Sequence, residues 1–245
     1  MSKKHKKIKD IVAKLKGFPI HPQWLILRQQ KSLLESLVTI VDKDSIVLDI
    51  GCSDKYLSYL INPSAQYIGV DHYDSASDMY LTRPDVYGDA QLLCIDNEAV
   101  DVVYLMDVAE HLPDPELALD EIVRVLKVNG TLVLTIPFLY PIHDAPMDYQ
   151  RWTEYALHER LGKAGLINIK VDNQGNLITT GCLIVNLGIA KLFADMWGNK
   201  NPLVILLPIA VVIVVLSNLL GALVTLILGN DATGPFAYSV IAKKA

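Results

Sequence analysis

From Ser45 onward the apolar positions fall in short β-branched runs, separated by stretches with helical spacing. That alternation is the mark of β-α-β units wound around a mostly parallel sheet. The runs predict strands over 46–50, 67–71, 86–88, 102–106, 131–137 and 167–171, with helices over 54–60, 115–126 and 153–164. The last helix opens on Thr153, a side chain suited to capping free N–H groups, with Glu154 in the first turn and Gly165 just past the end. Ahead of the sheet, Ile8, Ile11, Val12 and Leu15, then Leu33, Leu34, Leu37 and Val38, keep helical spacing and predict two helices parted at 17–22.

After Val171 the alternation stops. Residues 203–229 are 27 positions without a charge. As one helix they would measure about 40 Å, more than the roughly 30 Å hydrocarbon core of a bilayer. A second, weaker apolar stretch over 175–190 is interrupted by Thr179, Thr180 and Asn186 and ends at Lys191 and Asp195. Pro208, Asn218 and Gly221 are places for a kink or turn. The closing run 236–243 reads as another strand. If it joins the same sheet, both ends of the apolar insertion lie on one side of a membrane and the number of complete crossings is even. The competing reading is a core helix pair or an oligomer interface.

A length of 245 residues accommodates one α/β domain with an appendage. The net charge of -5 argues against a general nucleic-acid binder, although nine Lys or Arg between Met1 and Lys31 face only Asp10 there. Such a basic arm lies on an anionic membrane surface or packs as a solvated helix. Cys52, Cys94 and Cys182 are odd in number and widely spaced, which suggests neither a disulfide framework nor a metal site and fits a reducing compartment. The N-terminus carries charge without an apolar stretch of signal-peptide length. The expected location is therefore the cytoplasmic face of a membrane, integral or monotopic through 175–229.

The sharpest chemical signal is Val47-Leu48-Asp49-Ile50-Gly51-Cys52-Ser53-Asp54, an apolar strand with an acid near its end and then a glycine turn. In a doubly wound sheet, ligands lie across the carboxyl ends of the strands. A second strand ends in Ile68-Gly69-Val70-Asp71, whose carboxylate suits two ribose hydroxyls. A dinucleotide site asks for G-x-G-x-x-G, whereas here Ser53 takes the second glycine and Asp54 to Tyr56 run through the third. Asp54 would repel a pyrophosphate but suits a cation; its other reading is a helix cap.

Asp49-Ile-Gly-Cys, Gly69-Val-Asp71, Gly88-Asp-Ala90, Glu110-His-Leu-Pro-Asp114, Glu121-Ile-Val-Arg-Val-Leu-Lys127 and Gly130, in that order, resemble the class I S-adenosylmethionine-dependent methyltransferases of the type-11 group, which includes quinone-biosynthesis enzymes. The resemblance covers about 45–171. It implies a Rossmann-like, doubly wound, seven-stranded α/β sheet with an apolar helical insertion before the last strand. The organisation expected is basic N-terminal helices over 1–41, the cofactor-binding core over 42–174, a hydrophobic membrane-associated insertion over 175–229 and the final strand over 230–245. The cofactor is S-adenosyl-L-methionine. The resemblance places Asp49 and Gly51, with Cys52 and Ser53, along its methionine part and Asp71, beside His72, on the ribose. It puts Asp89 and Ala90 beside the adenine, with Met106 and Asp107 completing the set. The glycine turn departs from the fuller glycine pattern.

Residues 137–152, with three prolines and a concentration of His, Asp, Arg, Tyr and Trp, follow the fifth strand and read as a substrate lid. His143 is the expected general base, oriented by Asp144 or Asp148, and the alternative is that these side chains only tie the lid together. Arg151 holds an anionic group or pairs with Asp148. His111 ties its loop to backbone or takes part in catalysis. The acceptor expected is membrane-resident or lipid-linked, a quinone, polyprenol-linked glycan or other amphiphile, with neither nucleic acid nor metal involved. A non-catalytic membrane scaffold and a nicotinamide-dependent oxidoreductase are the competing functions.

Overall fold

A computed structural model describes residues 15–80 and 82–245. Of the first expected helix, Ile8, Ile11 and Val12 lie outside the described residues. The second is α1, Trp24–Leu37. The sheet strands are β1 (Ile46–Ile50), β2 (Gln66–Asp71), β3 (Val86–Tyr87), β4 (Val100–Met106), β5 (Leu126–Pro137), β6 (Leu166–Gln174) and β7 (Ala237–Lys244). Helix α2 spans Pro115–Val125, α3 Glu154–Lys163, α4 Leu177–Gly198 and α5 Leu207–Leu228.

The seven strands form one sheet in the order β3-β2-β1-β4-β5-β7-β6. Its first five strands run parallel and β7 is antiparallel to β5. The order reverses between β1 and β4, so the crevice expected for a ligand opens at the carboxyl ends of those two strands. The described residues divide into two compact units, Leu34–Asp172 with Ala237–Ala245, and Asn173–Phe236 with residues 15–33.

In the first unit, Leu48, Ile50, Val103, Leu105, Leu132 and Leu134 form the buried heart of the sheet. Pro115, Ala118, Leu119, Ile122 and Val125 make the buried stripe of α2, the spacing of a helix that covers a sheet with one face. Thr153 caps α3, accepting the Ala156 N–H, and Gly165 follows at φ +93°, where glycine carries no Cβ penalty. The helix expected over 54–60 is only a single turn, Tyr56–Tyr59. Ser53 and Lys55 approach it in the left-handed region, at φ 46° and 57°, and helix propagation needs right-handed backbone.

The second unit is built on the pair α4 and α5. The turn between them falls at Asn199 to Asn201, not at Pro208, Asn218 or Gly221. Pro208 sits in the first turn of α5, where a missing N–H costs nothing. Asn218 and Gly221 are buried within the helix. Asn218 donates to Pro19 O at 2.6 Å and His21 O at 3.0 Å, and accepts from Asn186 Nδ2 at 2.9 Å. Thr179 Oγ1 donates to Gly221 O at 3.1 Å. A Cβ on Gly221 would lie 2.8 Å from Leu25 Cδ1, so the glycine permits that close approach. Thr179, Asn186 and Asn218 are thus inside, while Ile205, Leu226 and Ile227 are 78%, 79% and 69% exposed.

Candidate active site

Five parallel strands bring their trailing turns to one edge. At the end of β1, Asp49 is buried opposite Gly69 and Tyr104, and Tyr67 Oη donates to its Oδ2 at 2.5 Å. Burial pushes the Asp49 carboxyl up to about 6, the Tyr67 hydrogen bond works against this, and nearby Asp71 and Asp54 add to the rise. The following turn is compressed: Gly51 N–H donates to Val70 O at 2.8 Å and Ser53 N–H donates to Asp71 Oδ2 at 3.0 Å. Asp71 is buried as well, and desolvation raises its carboxyl above the usual range against the Ser53 and His72 N–H groups.

Gly51 sits at φ +76°, and a Cβ there would run into Val108 Cγ2. Gly51→Ala is therefore expected to cost about 2 kcal/mol through combined strain and overpacking, read as a lower denaturant midpoint. An unchanged midpoint would show that the turn tolerates a side chain. Cys52 packs its Sγ where a Cβ on Gly69 would lie 2.9 Å away, and burial, then Asp49, pushes its thiol up to about 12. It is a wall of the turn and a poor nucleophile.

Beyond β2 and β3, His72 is exposed, Ala90 is buried, and Asp89 Oδ1 accepts the Gln91 N–H at 2.9 Å. Met106 ends β4. Asp107, at φ +53°, accepts from Thr135 Oγ1 at 2.9 Å. Asp49, Gly51, Cys52, Ser53, Asp71, His72, Asp89, Ala90, Met106 and Asp107 therefore all lie at the carboxyl ends of four adjacent strands.

The turn after β4 and the loop after β5 meet beside them. Tyr149 N–H donates to Glu110 O at 2.8 Å, and Gln150 Nε2 donates to Leu112 O at 3.0 Å. Trp152, buried, donates its indole N–H to Gln150 Oε1 at 2.9 Å. Asp148 stands at His143: its Oδ2 accepts the His143 N–H at 3.0 Å and faces its Nδ1 at 3.3 Å. The same carboxylate is clamped by Arg151 at 2.5 and 2.8 Å, so Arg151 is committed to Asp148. The guanidinium, against burial and with help from His143, holds Asp148 at about 2. Asp144 occupies the turn before Pro146, exposed at φ 48°. His111 Nδ1 meets Met147 O at 2.5 Å, which ties the two segments.

Sequence reasoning missed Tyr67, which it reads only as a strand residue, although a phenol one pleat from Asp49 is a natural donor to it. Glu110, which opens the Glu110-His-Leu-Pro-Asp114 motif after the fourth strand, is fully buried, and neither carboxylate oxygen has a hydrogen-bond partner among the described residues.

The electrostatic character of the edge suits a cation. Asp49, Asp71 and Asp54 surround the turn after β1, and its one base, Lys55, is paired with Asp85 at 2.8 Å. A pyrophosphate would meet carboxylates there, whereas a sulfonium and an ammonium would be attracted.

Residues 48–134 match the family described as "Methyltransferase domain". Among solved structures, the chain is similar to an S-adenosylmethionine-dependent methyltransferase from Archaeoglobus fulgidus, with 18% identity, 89% of this chain and 94% of that one covered, and a TM-score of 0.56. It is also similar to phosphoethanolamine N-methyltransferase 2 of Haemonchus contortus in complex with phosphomonomethylethanolamine and S-adenosylhomocysteine, at 16% identity, 88% and 52% coverage and a TM-score of 0.51. The [4+2]-cyclase SpnF matches at 17% identity, 86% and 79% coverage and a TM-score of 0.52, so likeness at this level carries the fold alone. Among curated proteins, none matches the sequence.

Proposed function

We propose that the chain, whose residues 48–134 match a methyltransferase domain family, is an S-adenosylmethionine-dependent methyltransferase that methylates a membrane-resident or lipid-linked amphiphile from the cytoplasmic face of a bilayer. S-adenosylmethionine is its cofactor, and when bound it supplies an electrophilic methyl group on a sulfonium. Asp71 holds the ribose hydroxyls. Asp49, Gly51, Cys52 and Ser53 take the methionine part, with Asp49 facing its positive charge. Asp89 and Ala90 flank the adenine, and His72, Met106 and Asp107 close the rim. The loop over 138–152 covers the acceptor side, where Asp148 and Arg151 set the position of His143. Alignment of acceptor and methyl group, away from water, supplies most of the acceleration that this chemistry needs from protein.

One observation carries the membrane part of the reading: α4 and α5 bury Thr179, Asn186 and Asn218 and leave most of their large apolar side chains exposed. A core helix of a water-soluble protein does the reverse. Leu177–Gly198 and Pro202–Leu228 are long enough to cross, and only 22% and 17% of their most apolar windows are buried. The hydrogen bonds among Thr179, Asn186, Asn218 and Gly221 are the kind that join helices in lipid. The pair is inserted between β6 and β7 of one sheet, so the crossings are even in number.

Two measurements test this. The full-length protein is expected to sediment with membranes, to resist alkaline carbonate and to be released by detergent; extraction by carbonate alone would overturn the anchor. With methyl-labelled S-adenosylmethionine and a membrane lipid extract, the label is expected in the organic phase on a product one methylene heavier. Transfer confined to water-soluble acceptors would overturn the amphiphile.

A further inference from the structure

The buried Glu110 carboxylate, without a hydrogen-bond partner, is an expensive group to leave uncompensated in a protein interior. What faces it is a pair of imidazoles. His143 Nε2 lies 3.7 Å and His111 Nε2 3.8 Å from Glu110 Oε1, both too far for a hydrogen bond. The two rings meet edge to face with centroids 5.1 Å apart. One ligand atom from each of the three residues lies within 4.8 Å of the others. We propose that Glu110, His111 and His143 form a binding site for one divalent transition-metal cation.

The geometry beyond the three ligands supports this. A metal-binding imidazole normally has its second nitrogen engaged, which fixes the tautomer and aims the first nitrogen. His111 Nδ1 meets this condition, held by Met147 O at 2.5 Å, while His143 Nδ1 makes no hydrogen bond among the described residues and stands 3.3 Å from Asp148 Oδ2. Asp148 is in turn locked by Arg151. Both Nε2 atoms stand within 3.8 Å of Glu110 Oε1. Two nitrogens and one oxygen suit Zn²⁺, Mn²⁺ or Fe²⁺ better than Mg²⁺ or Ca²⁺, which prefer oxygen. Ligands about 2.1 Å from a tetrahedral ion stand about 3.4 Å apart, so closure asks for side-chain movements well under an ångström at the two shorter separations.

Three protein ligands leave coordination positions open, the arrangement of a reactive site. The site lies between the turn after β4 and the loop after β5, next to Asp107 at the proposed cofactor rim. Its use therefore rests on the methyl-transfer reading: a coordinated acceptor hydroxyl would release its proton to water more readily, and its oxygen would then form a bond to the methyl carbon as the carbon–sulfur bond breaks and S-adenosylhomocysteine leaves. With the cation bound, His143 is a ligand and not the general base that the sequence suggests.

The test is direct binding to the full-length protein in detergent after chelation and dialysis. Calorimetry with Zn²⁺ or Mn²⁺ is expected to give one site per chain, and Co²⁺ to give visible bands of a nitrogen- and oxygen-ligated ion. His143→Ala, at a partly exposed position, is expected to weaken binding at least tenfold and to abolish the bands. Glu110→Gln is expected to do the same, and the thermal-shift gain on adding cation is expected to vanish in both. A wild-type protein that takes up no stoichiometric cation, or a His143→Ala variant that binds it equally well, would overturn the site. S-adenosylhomocysteine binding, measured separately on the chelated protein, reports on the cofactor reading: its loss would sink that reading, and its persistence without cation uptake would sink only the metal site.

Discussion

Asp71→Ala is expected to raise the dissociation constant for S-adenosylhomocysteine about a hundredfold or more. Asp71 ends β2 at the carboxyl edge, and its carboxylate is already oriented by the Ser53 N–H. In the proposed role it accepts from both ribose hydroxyls. A hydrogen bond to a charged group contributes about 1.5–3 kcal/mol, so losing two costs about 3–6 kcal/mol. The alanine also frees the Ser53 N–H, which loosens the turn that faces the methionine part. Calorimetric titration checks this, with circular dichroism to confirm the fold; a folded variant that binds as tightly as the wild type would remove Asp71 from the site.

Asp49→Asn is expected to act in opposite directions on stability and on binding. The native carboxyl is raised from 3.8 to about 6, mainly by burial. A carboxyl whose folded value exceeds its unfolded one makes the native state bind protons more tightly between those values, so stability falls as pH rises from about 4 to about 6 and the full penalty stands above 6. A shift of this size corresponds to about 3 kcal/mol at neutral pH. Asparagine removes the charge yet keeps an oxygen for Tyr67, so the cofactor-free variant should be more stable than the wild type at pH 7 and differ little from it at pH 4. Cofactor affinity should drop in the variant. In the wild type it should weaken about tenfold for each unit below pH 6 as Asp49 becomes protonated and stops attracting the cationic ligand. Chemical denaturation at the two pH values, and titrations from pH 5 to 8, separate these effects. Equal stability at pH 7 would show that Asp49 carries no buried charge.

Where a structural signal is local, the sequence displays it. Strands β1, β2, β4 and β5 stand where β-branched runs stand, since burial on both faces of a parallel sheet requires continuous apolar runs. Asp49 and Asp71 were legible because an acid at the end of such a run has nowhere apolar to go. Thr153 was legible because a cap acts on N–H groups two or three residues ahead. Failures came where distant partners decide. Residues 54–60 have helical spacing, but the preceding turn is bent back onto β2 by bonds from Gly51 and Ser53. Asn218 looks like a break in an apolar helix until the Pro19 and His21 carbonyls supply its partners.

The sequence by itself determined the α/β class, the acids at the strand ends, the order of the family's motifs and the apolar insertion before the last strand. Each depends on residue type and short-range spacing, which survive without knowledge of the fold. Only the tertiary structure decided that the turn after β4 and the loop after β5 are neighbours, because that follows from strand order in the sheet. It alone placed His111 and His143 against a buried Glu110, and it alone revealed that Thr179, Asn186 and Asn218 of the apolar helices are buried. Both are facts about what surrounds a side chain, and surroundings are set by segments far away in the chain.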